Sequence, residues 1–547
     1  MLHDDWKPLV IRPIGLAIIA LALLSAFASA EIDRFVSDDG QLVATSDRRL
    51  ATEADRNDPG YGPDGWVQAE PRETARRGDF PLPATPDWVG TRVRAVGGMT
   101  WFDADHDGDL DLFVGTYFAN SQPPIADYYN FIYLNDGGML ESEPSWIASA
   151  QRHTTDARWG FINGDAYPDL VVGNGGSSLQ ASEVYYGLDG LLATTPSWQS
   201  NDSDWTVGIA LGDIDGDGDL DLATANQGNT LDPYRPTRLF RNNGSGFDAT
   251  PFWASQQVGI TNSADFADMN GDGRLDLAVA GWSSWETGVF LNLGTTLDTG
   301  FAWTTGHPER TDKGIGWAAA NLDTLPDLAV GGNGFADRWH ANLGGTLDPN
   351  PAWASTESYH GCQELQWIDI DNDGDDDLAT IHFGNGHTRI YLNNDGVFAT
   401  TPDWVYDSSS SGSAMAFGDV NGDGWLDLAI GVANGPVILF LNQGSPASAP
   451  ETSATLPGQL DVRITPNPGR GARTVSLSSP IPFRIESLEL IDASGRRISS
   501  LPVDIRGTDT RWSFPLPQNV RGVAFLRARG WDRDGRRLHG QARVIAY

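Results

Sequence analysis

Seven times between residues 103 and 427 the chain returns to one nine-residue turn, acidic in most of its copies. The fullest copy is Asp213-Ile214-Asp215-Gly216-Asp217-Gly218-Asp219-Leu220-Asp221, followed at once by the apolar run Leu222-Ala223-Thr224-Ala225. Like charges packed this closely repel one another unless something positive lies among them. Asp at positions 1, 3, 5 and 9, with Gly at 6, is the layout of an oxygen-ligand loop for calcium. Alternate carboxylates turn inward, and the glycine permits the sharp turn that closes the cage. The copies begin at Asp103, Phe161, Asp213, Asp268, Ala319, Asp369 and Asp419, at intervals of 58, 52, 55, 51, 50 and 50 residues.

A second mark keeps the same phase. Trp88, Trp146, Trp198, Trp253, Trp303, Trp353 and Trp404 each stand 15 or 16 residues before a turn. After each turn come an apolar strand, a variable connection and a further strand ending near Asn-Gly or Leu-Gly, as in Leu239-Phe240-Arg241-Asn242-Asn243-Gly244. Four short strands in about 50 residues is the size of a propeller blade. The sequence therefore predicts an all-β chain with a seven-bladed β-propeller over residues 81–445. The last unit lacks a Trp strand of its own, and an orphan one, Thr85-Pro86-Asp87-Trp88, precedes the first turn. The phase predicts that this N-terminal strand completes the last blade, removing the free sheet edges.

Five turns keep every side-chain ligand position: Asp103/Asp105/Asp107/Asp111, Asp213/Asp215/Asp217/Asp221, Asp268/Asn270/Asp272/Asp276, Asp369/Asp371/Asp373/Asp377 and Asp419/Asn421/Asp423/Asp427. Their sixth residues are Gly108, Gly218, Gly273, Gly374 and Gly424. Position 7 is expected to contribute a backbone carbonyl, which leaves its side chain free to be Asp109, Asp219, Arg274, Asp375 or Trp425. Donors that are all hard oxygens, with no His or Cys, favour calcium over zinc or copper. The turns at Phe161 and Ala319 lose the first carboxylate and the glycine and gain Pro168 and Pro326. They are expected to keep the shape without metal, which leaves about five calcium sites.

The motif Asp-x-Asp/Asn-x-Asp-Gly-x-x-Asp-Leu followed by an apolar strand resembles the FG-GAP, or VCBS, repeats of the integrin α-subunit type. That resemblance implies a seven-bladed propeller with calcium loops on one face and adhesion-type partner recognition by loops of the other. Residues 459–547 are similar to the sorting domain of type IX secretion cargo and to FlgD-like immunoglobulin folds. The similarity rests on Thr465-Pro466-Asn467-Pro468, Leu490-Ile491-Asp492-Ala493-Ser494-Gly495-Arg496-Arg497 and Gly522-Val523-Ala524-Phe525. Their alternating pattern reads as a small antiparallel β-sandwich. With 15 Arg and no Lys against 8 acids it carries +7, leaving −44 for the rest of a chain whose total is −37.

That acidity argues against nucleic acid as a partner, since phosphate binding needs a basic footprint. Lys7 and Arg12 precede an apolar run from Ile14 to Phe27 that ends in Ala28-Ser29-Ala30, the pattern of an export signal cleaved after Ala30. The run is shorter than the ~20 residues of a membrane span. Residues 31–80 read as a mobile polar leader and 446–458 as a Ser/Pro/Ala linker. The single cysteine, Cys362, excludes a disulfide within one chain. The expected location is outside the cell or on its surface, where calcium is roughly millimolar and even weak sites fill.

Three functional classes follow. The first is calcium-stabilised recognition of an extracellular protein or glycan by the connections opposite the turns. Tyr117, Phe118, Tyr128, Tyr129, Trp282 and Trp285 are its candidate contacts, weighed against plain packing between blades. The second is a polysaccharide lyase or hydrolase on a propeller. Against it, His360, His382 and His387 are the only local group of histidines, and no nucleophile elbow, His-Glu-x-x-His pair or phosphate loop occurs. No catalytic residue is assigned. The third is a surface scaffold.

Overall fold

The structure is a computed structural model. It describes residues 80–444 apart from 118–127, 177–178, 229–233, 283–284, 308–310, 322, 324, 360, 384–386, 408–411 and 434, with strands at Arg34–Val36 and Leu42–Ala44 and seven more between Asp461 and Ala546. The export signal, the linker 446–458, residues 466–468, Phe118 and His360 lie outside the described residues. The chain divides into Met1–Arg76 and Arg77–Tyr547. In the first unit Arg34–Val36 pairs antiparallel with Leu42–Ala44.

Residues 88–440 form seven antiparallel sheets of four strands each, a seven-bladed propeller. Blade 1 is Val96–Phe102, Asp111–Thr116, Tyr129–Tyr133 and Trp146–Gln151. Blades 2 to 6 repeat the order, with first strands at Thr154–Gly160, Trp205–Gly212, Thr261–Ala267, Asp312–Ala318 and Cys362–Ile368. Blade 7 supplies Gly412–Gly418, Asp427–Val432 and Gly435–Phe440, and its fourth strand is Trp88–Arg94, with Trp88 opposite Leu439 and Arg94 opposite Gly435. The second strand of blade 7 is buried along its whole length, as are those of blades 1, 2, 4, 5 and 6. A strand covered on both faces reads as an unbroken apolar run rather than an alternation, which is why these segments stand out in the sequence.

The periodic tryptophans are junction residues. Each sits on a fourth strand and meets, edge to face, an aromatic ring on the third strand of the next blade. The pairs are Trp88–Tyr133, Trp146–Tyr185, Trp198–Phe240, Trp253–Phe290, Trp303–His340, Trp353–Tyr391 and Trp404–Phe440, with centroids 5.0–5.8 Å apart. Such pairs add about 0.5–1.5 kcal/mol each beyond the area they bury. Here they recur at every junction of the ring.

The closing strand is tied at several points. Asp87 N–H donates to Leu439 O (2.8 Å), Leu441 N–H to Asp87 Oδ2 (2.8 Å) and Gln443 N–H to Pro81 O (2.9 Å). Leu82 is buried in the same apolar cluster as Ile390, Trp404 and Ile438. A chain starting at Ala95 therefore exposes the edge of Gly435–Phe440, and an open edge recruits other edges. It is expected to melt well below the full chain and to self-associate on size-exclusion chromatography. A monomer with an unchanged melting temperature would contradict the closure.

In residues 461–546, Asp461–Thr465, Arg473–Ser478 and Arg511–Leu516 form a three-stranded antiparallel sheet. Arg497–Ser500, Phe483–Asp492, Gly522–Asp532 and Arg537–Ala546 form a four-stranded one.

Candidate metal centres

Each turn joins the first strand of a blade to the second, so all seven lie at the same end of their blades. Position 9 opens the second strand. Asp111, Asp169, Asp221, Asp276, Asp327, Asp377 and Asp427 are wholly buried there. Each works as a latch. One carboxylate oxygen accepts a backbone N–H from position 2 or 3, as from Ala104, Ile162, Ile214, Met269, Asn321, Ile370 and Val420 (2.7–3.2 Å). The other accepts the N–H of the residue closing the third strand, which is Asn135, Gly187, Asn242, Asn292, Asn342, Asn393 or Asn442 (2.7–2.8 Å). Both metal-poor turns keep this latch, so position 9 has a structural duty beside any ligand role. A carboxylate oxygen has lone pairs for both.

The asparagines two residues past the third strands, visible in the sequence only as ends near Asn-Gly or Leu-Gly, also join the blades. In blades 1, 3, 4, 5, 6 and 7 the side-chain Nδ2 donates to a position-2 carbonyl in the turn of another blade: Asn135 to Val420, Asn242 to Ile162, Asn292 to Ile214, Asn342 to Met269, Asn393 to Ala320 and Asn442 to Ile370, at 2.8–3.0 Å. In each case that blade is the preceding one in the ring. The acidic end of the propeller is thus stitched blade to blade. Blade 2 has Gly187 at this position, and His106 Nε2 lies 3.1 Å from Leu188 O instead.

Within the turns the carboxylates of positions 1, 3 and 9 converge. Ligand atoms of Asp103, Asp105 and Asp111 lie within 4.8 Å of one another, as do those of Asp213, Asp215 and Asp221, and of Asp369, Asp371 and Asp377. In the turns of blades 3, 4 and 7 the first carboxylate accepts N–H groups from the far side of the loop. Asp213 takes those of Gly216 and Gly218, Asp268 those of Asp272 and Gly273, and Asp419 those of Asp423 and Gly424 (2.7–3.0 Å). The sixth-position glycines take φ of 85–101°. Position 4 is left-handed in blades 1 to 4, 6 and 7 as well, and His106 (69°) and Asn372 (56°) occupy it in blades 1 and 6 where blades 2, 3, 4 and 7 use glycine.

Two of the expected ligand positions, 3 and 5, also shape the turn. Asp107, Asp217 and Asp373 stand outside the three converging groups. At position 5 one side-chain oxygen is turned back on its own loop. Oδ1 of Asp107, Asp217, Asp272, Asp373 and Asp423 accepts the N–H of Asp109, Asp219, Arg274, Asp375 and Trp425 in turn (2.9–3.0 Å). Asn270 and Asn421 hold position 3 in blades 4 and 7 and are engaged in the same way. Their Oδ1 atoms accept the N–H groups of Asp272 and Asp423 (2.9 Å each). The cause is the short Asx side chain, which bonds the backbone two residues on and so shapes the turn itself. Asp107, Asn270 and Asn421 therefore shape the turn as well as being expected ligands. Any ligand role falls to a second lone pair on the bonded oxygen or, for Asp107, to its other oxygen.

The donor set fits a hard divalent cation. Asp103 Oδ1 and Asp215 Oδ1 are buried acceptors without a hydrogen bond, and a cation among the carboxylates would satisfy them. Burial, with neighbouring carboxylates adding to it, pushes Asp103 and Asp371 up to about 6 and Asp111 and Asp373 up to about 8. A bound cation stabilises the ionised form that burial penalises. Position-7 side chains point to another task. Asp109 Oδ2 accepts Gly137 N–H and Asp375 Oδ2 accepts Asp395 N–H (both 2.8 Å), and Arg274 Nε donates to Asn292 O (3.1 Å). They tether the loop to the turn between the third and fourth strands. In the metal-poor turn of blade 2, Asn163 Nδ2 donates to Asp165 Oδ2 (2.8 Å), and Phe161 packs edge-on against Trp159.

At the other end of the blades the candidate aromatics bridge neighbours. Tyr117 and Tyr128 flank His153 (5.9 and 5.3 Å), Tyr234 meets Trp285 (5.9 Å), and Lys313 lies over Trp282 (4.9 Å). Tyr234, 48% exposed, is absent from the sequence-derived contacts. Tyr129 opens a third strand opposite Gln151.

The model of a family described as FG-GAP-like repeat matches residues 162–224, 225–279 and 369–430. These are FG-GAP-like repeats. The matched FG-GAP-like segments take in the intact turns at Asp213, Asp268, Asp369 and Asp419 and most of the metal-poor one at Phe161. No curated protein matches the chain. Among solved structures it is similar to Saccharomyces cerevisiae Sqt1, at 11% identity over 71% of this chain and 94% of that one, with a TM-score of 0.42. It is also similar to the WD40 domain of Toxoplasma gondii coronin, at 11% identity over 67% and 87%, with a TM-score of 0.43. At these scores neither likeness carries an argument about this chain.

Proposed function

We propose that the chain is an exported, calcium-braced propeller that recognises an extracellular protein or glycan through the end of its blades opposite the acidic turns. The observation carrying this reading is the convergence of Asp103/Asp105/Asp111 and Asp213/Asp215/Asp221, each with a buried carboxylate oxygen left over. Calcium at the five intact turns holds the first and second strands of those blades together. With the turns committed to bracing, recognition falls to the other end. There Tyr234 and Trp285 offer paired rings, and such rings suit sugar faces or a protein hot spot. Export ahead of residue 31 and a sorting role for a sandwich over 459–547 complete the reading, supported by the sequence patterns of both segments.

Glycan and extracellular-protein arrays, probed with the full chain in millimolar calcium, test it. Specific binding that falls at least tenfold for Trp285→Ala and for Tyr234→Ala is the expected result. Binding that survives both substitutions, or that is equal in chelator, would overturn the assignment of the face.

A further inference from the structure

Away from the acidic turns, blade junctions carry three side chains at recurring positions. One is on the third strand of a blade. The other two are Cα partners on the first and second strands of the next. In the junction between blades 1 and 2 they are Asn130, Thr154 and Asn174. Asn130 Nδ2 donates to Thr154 Oγ1 (2.8 Å), and Thr154 Oγ1 donates to Asn174 Oδ1 (2.9 Å). Neutral hydrogen bonds suffice to join these blades. Between blades 5 and 6 the same three positions hold Asp337, Cys362 and His382, with Cys362 and His382 again Cα partners. All three are buried, at 2% exposure or less. A carboxylate oxygen, the sulfur and a ring nitrogen lie within 4.8 Å of one another.

We propose that Asp337, Cys362 and His382 form a zinc site separate from the acidic turns. A thiolate, an imidazole and a carboxylate are the ligand types zinc selects, and they differ from the all-oxygen turns in taking a softer metal. Donor atoms around a tetrahedral zinc are about 3–4 Å apart. His382 Nε2 and Asp337 Oδ2, 2.9 Å apart and hydrogen-bonded, would open by a few tenths of an ångström to share a zinc. Charge balances within the cluster as well: Zn2+ with one thiolate, one carboxylate and a neutral imidazole sums to zero. Thr380 Oγ1 lies 3.2 Å from His382 Nε2, at the edge of the cluster. Gly331 leaves space for the sulfur, since a Cβ there would come within 2.2 Å of Cys362 Sγ. Burial pushes the thiol's pKa up and Asp337 adds to that, while Lys313 opposes it. Zinc binding displaces the proton and holds the sulfur as thiolate.

A site this enclosed fills during folding, so the test counts metal in protein made with zinc and calcium in the growth medium. Elemental analysis of the purified full chain is expected to find one zinc per chain. Protein made with cobalt instead should show thiolate-to-cobalt charge-transfer absorption. Cys362→Thr puts in this junction the residue type that Thr154 supplies at the equivalent position, and should fold, keep its calcium, and lose both the zinc and the absorption. His382→Asn, matching Asn174, is the second variant and is expected to lose zinc likewise. Zinc-free wild-type protein, or zinc retained at full stoichiometry by Cys362→Thr, would overturn the site and leave Asp337 and His382 as a buried ion pair.

Discussion

Asp169→Ala is expected to cost about 4 kcal/mol of stability, although its turn is one of the two predicted to hold no calcium. Three backbone N–H groups depend on this carboxylate: Ile162 (2.8 Å), Asn163 (3.1 Å) and Gly187 (2.8 Å). The residue is wholly buried, so water cannot replace it. Each buried donor left unpaired costs about 1–3 kcal/mol. Chemical denaturation in chelator is the measurement, with Asp221→Ala as the companion. Asp221 latches Ile214 and Asn242 in the same way inside an intact turn. Without calcium Asp221→Ala should lose less, since two N–H groups rather than three depend on it. With calcium, Asp221→Ala should lose more, because it also forfeits a ligand. A loss below about 1 kcal/mol for Asp169→Ala would mean the latch contributes little against the background of an ordinary substitution.

Calcium removal is expected to have the larger effect on the whole chain. A ligand that binds only the native state adds RT ln(1 + [L]/Kd), about 2.7 kcal/mol for each site held at a hundred times its Kd. Five such sites amount to a figure on the order of 10 kcal/mol, comparable with the whole stability of a typical domain. In chelator the propeller should melt far below its calcium-loaded temperature, and the blades with intact turns should lose hydrogen-exchange protection first. Blades 2 and 5, whose turns are closed by Asn163 with Asp165 and by Asn321 with Asp323, should change least. Equal protection loss across all seven blades would contradict this division.

The ring itself was legible because its signals are local and in phase. The acidic turn, the apolar second strand and the Trp strand each fall within one short stretch, and their spacing counts the blades. Within the turn, spacing alone makes every Asp and Asn a ligand of equal standing. It does not distinguish Asp105, which converges with Asp103 and Asp111, from Asp107, which stands outside that group, although Oδ1 of each accepts the N–H two residues on. What the sequence did not disclose lies mostly between blades. Trp146 reads as a periodic residue until Tyr185 is seen opposite it in the next blade. Asn242 reads as part of a hairpin turn, yet its Nδ2 reaches back to Ile162. Cys362, His382 and Asp337 are scattered over 46 residues, and only the closed ring brings a third strand of one blade onto the first two of the next. In sequence His382 belongs to a loose group with His360 and His387, whereas its partners in the fold include Asp337 and Thr380. Position 4 of the turn was equally silent, because His106 and Asn372 give no hint in sequence that they adopt the backbone other blades assign to glycine.

Isothermal titration of the metal-free full chain with calcium bears most directly on the account. About five equivalents are expected, falling by one for each of Asp213→Ala and Asp419→Ala and by none for Asp165→Ala in blade 2. Seven equivalent sites, or no calcium uptake at all, would contradict it.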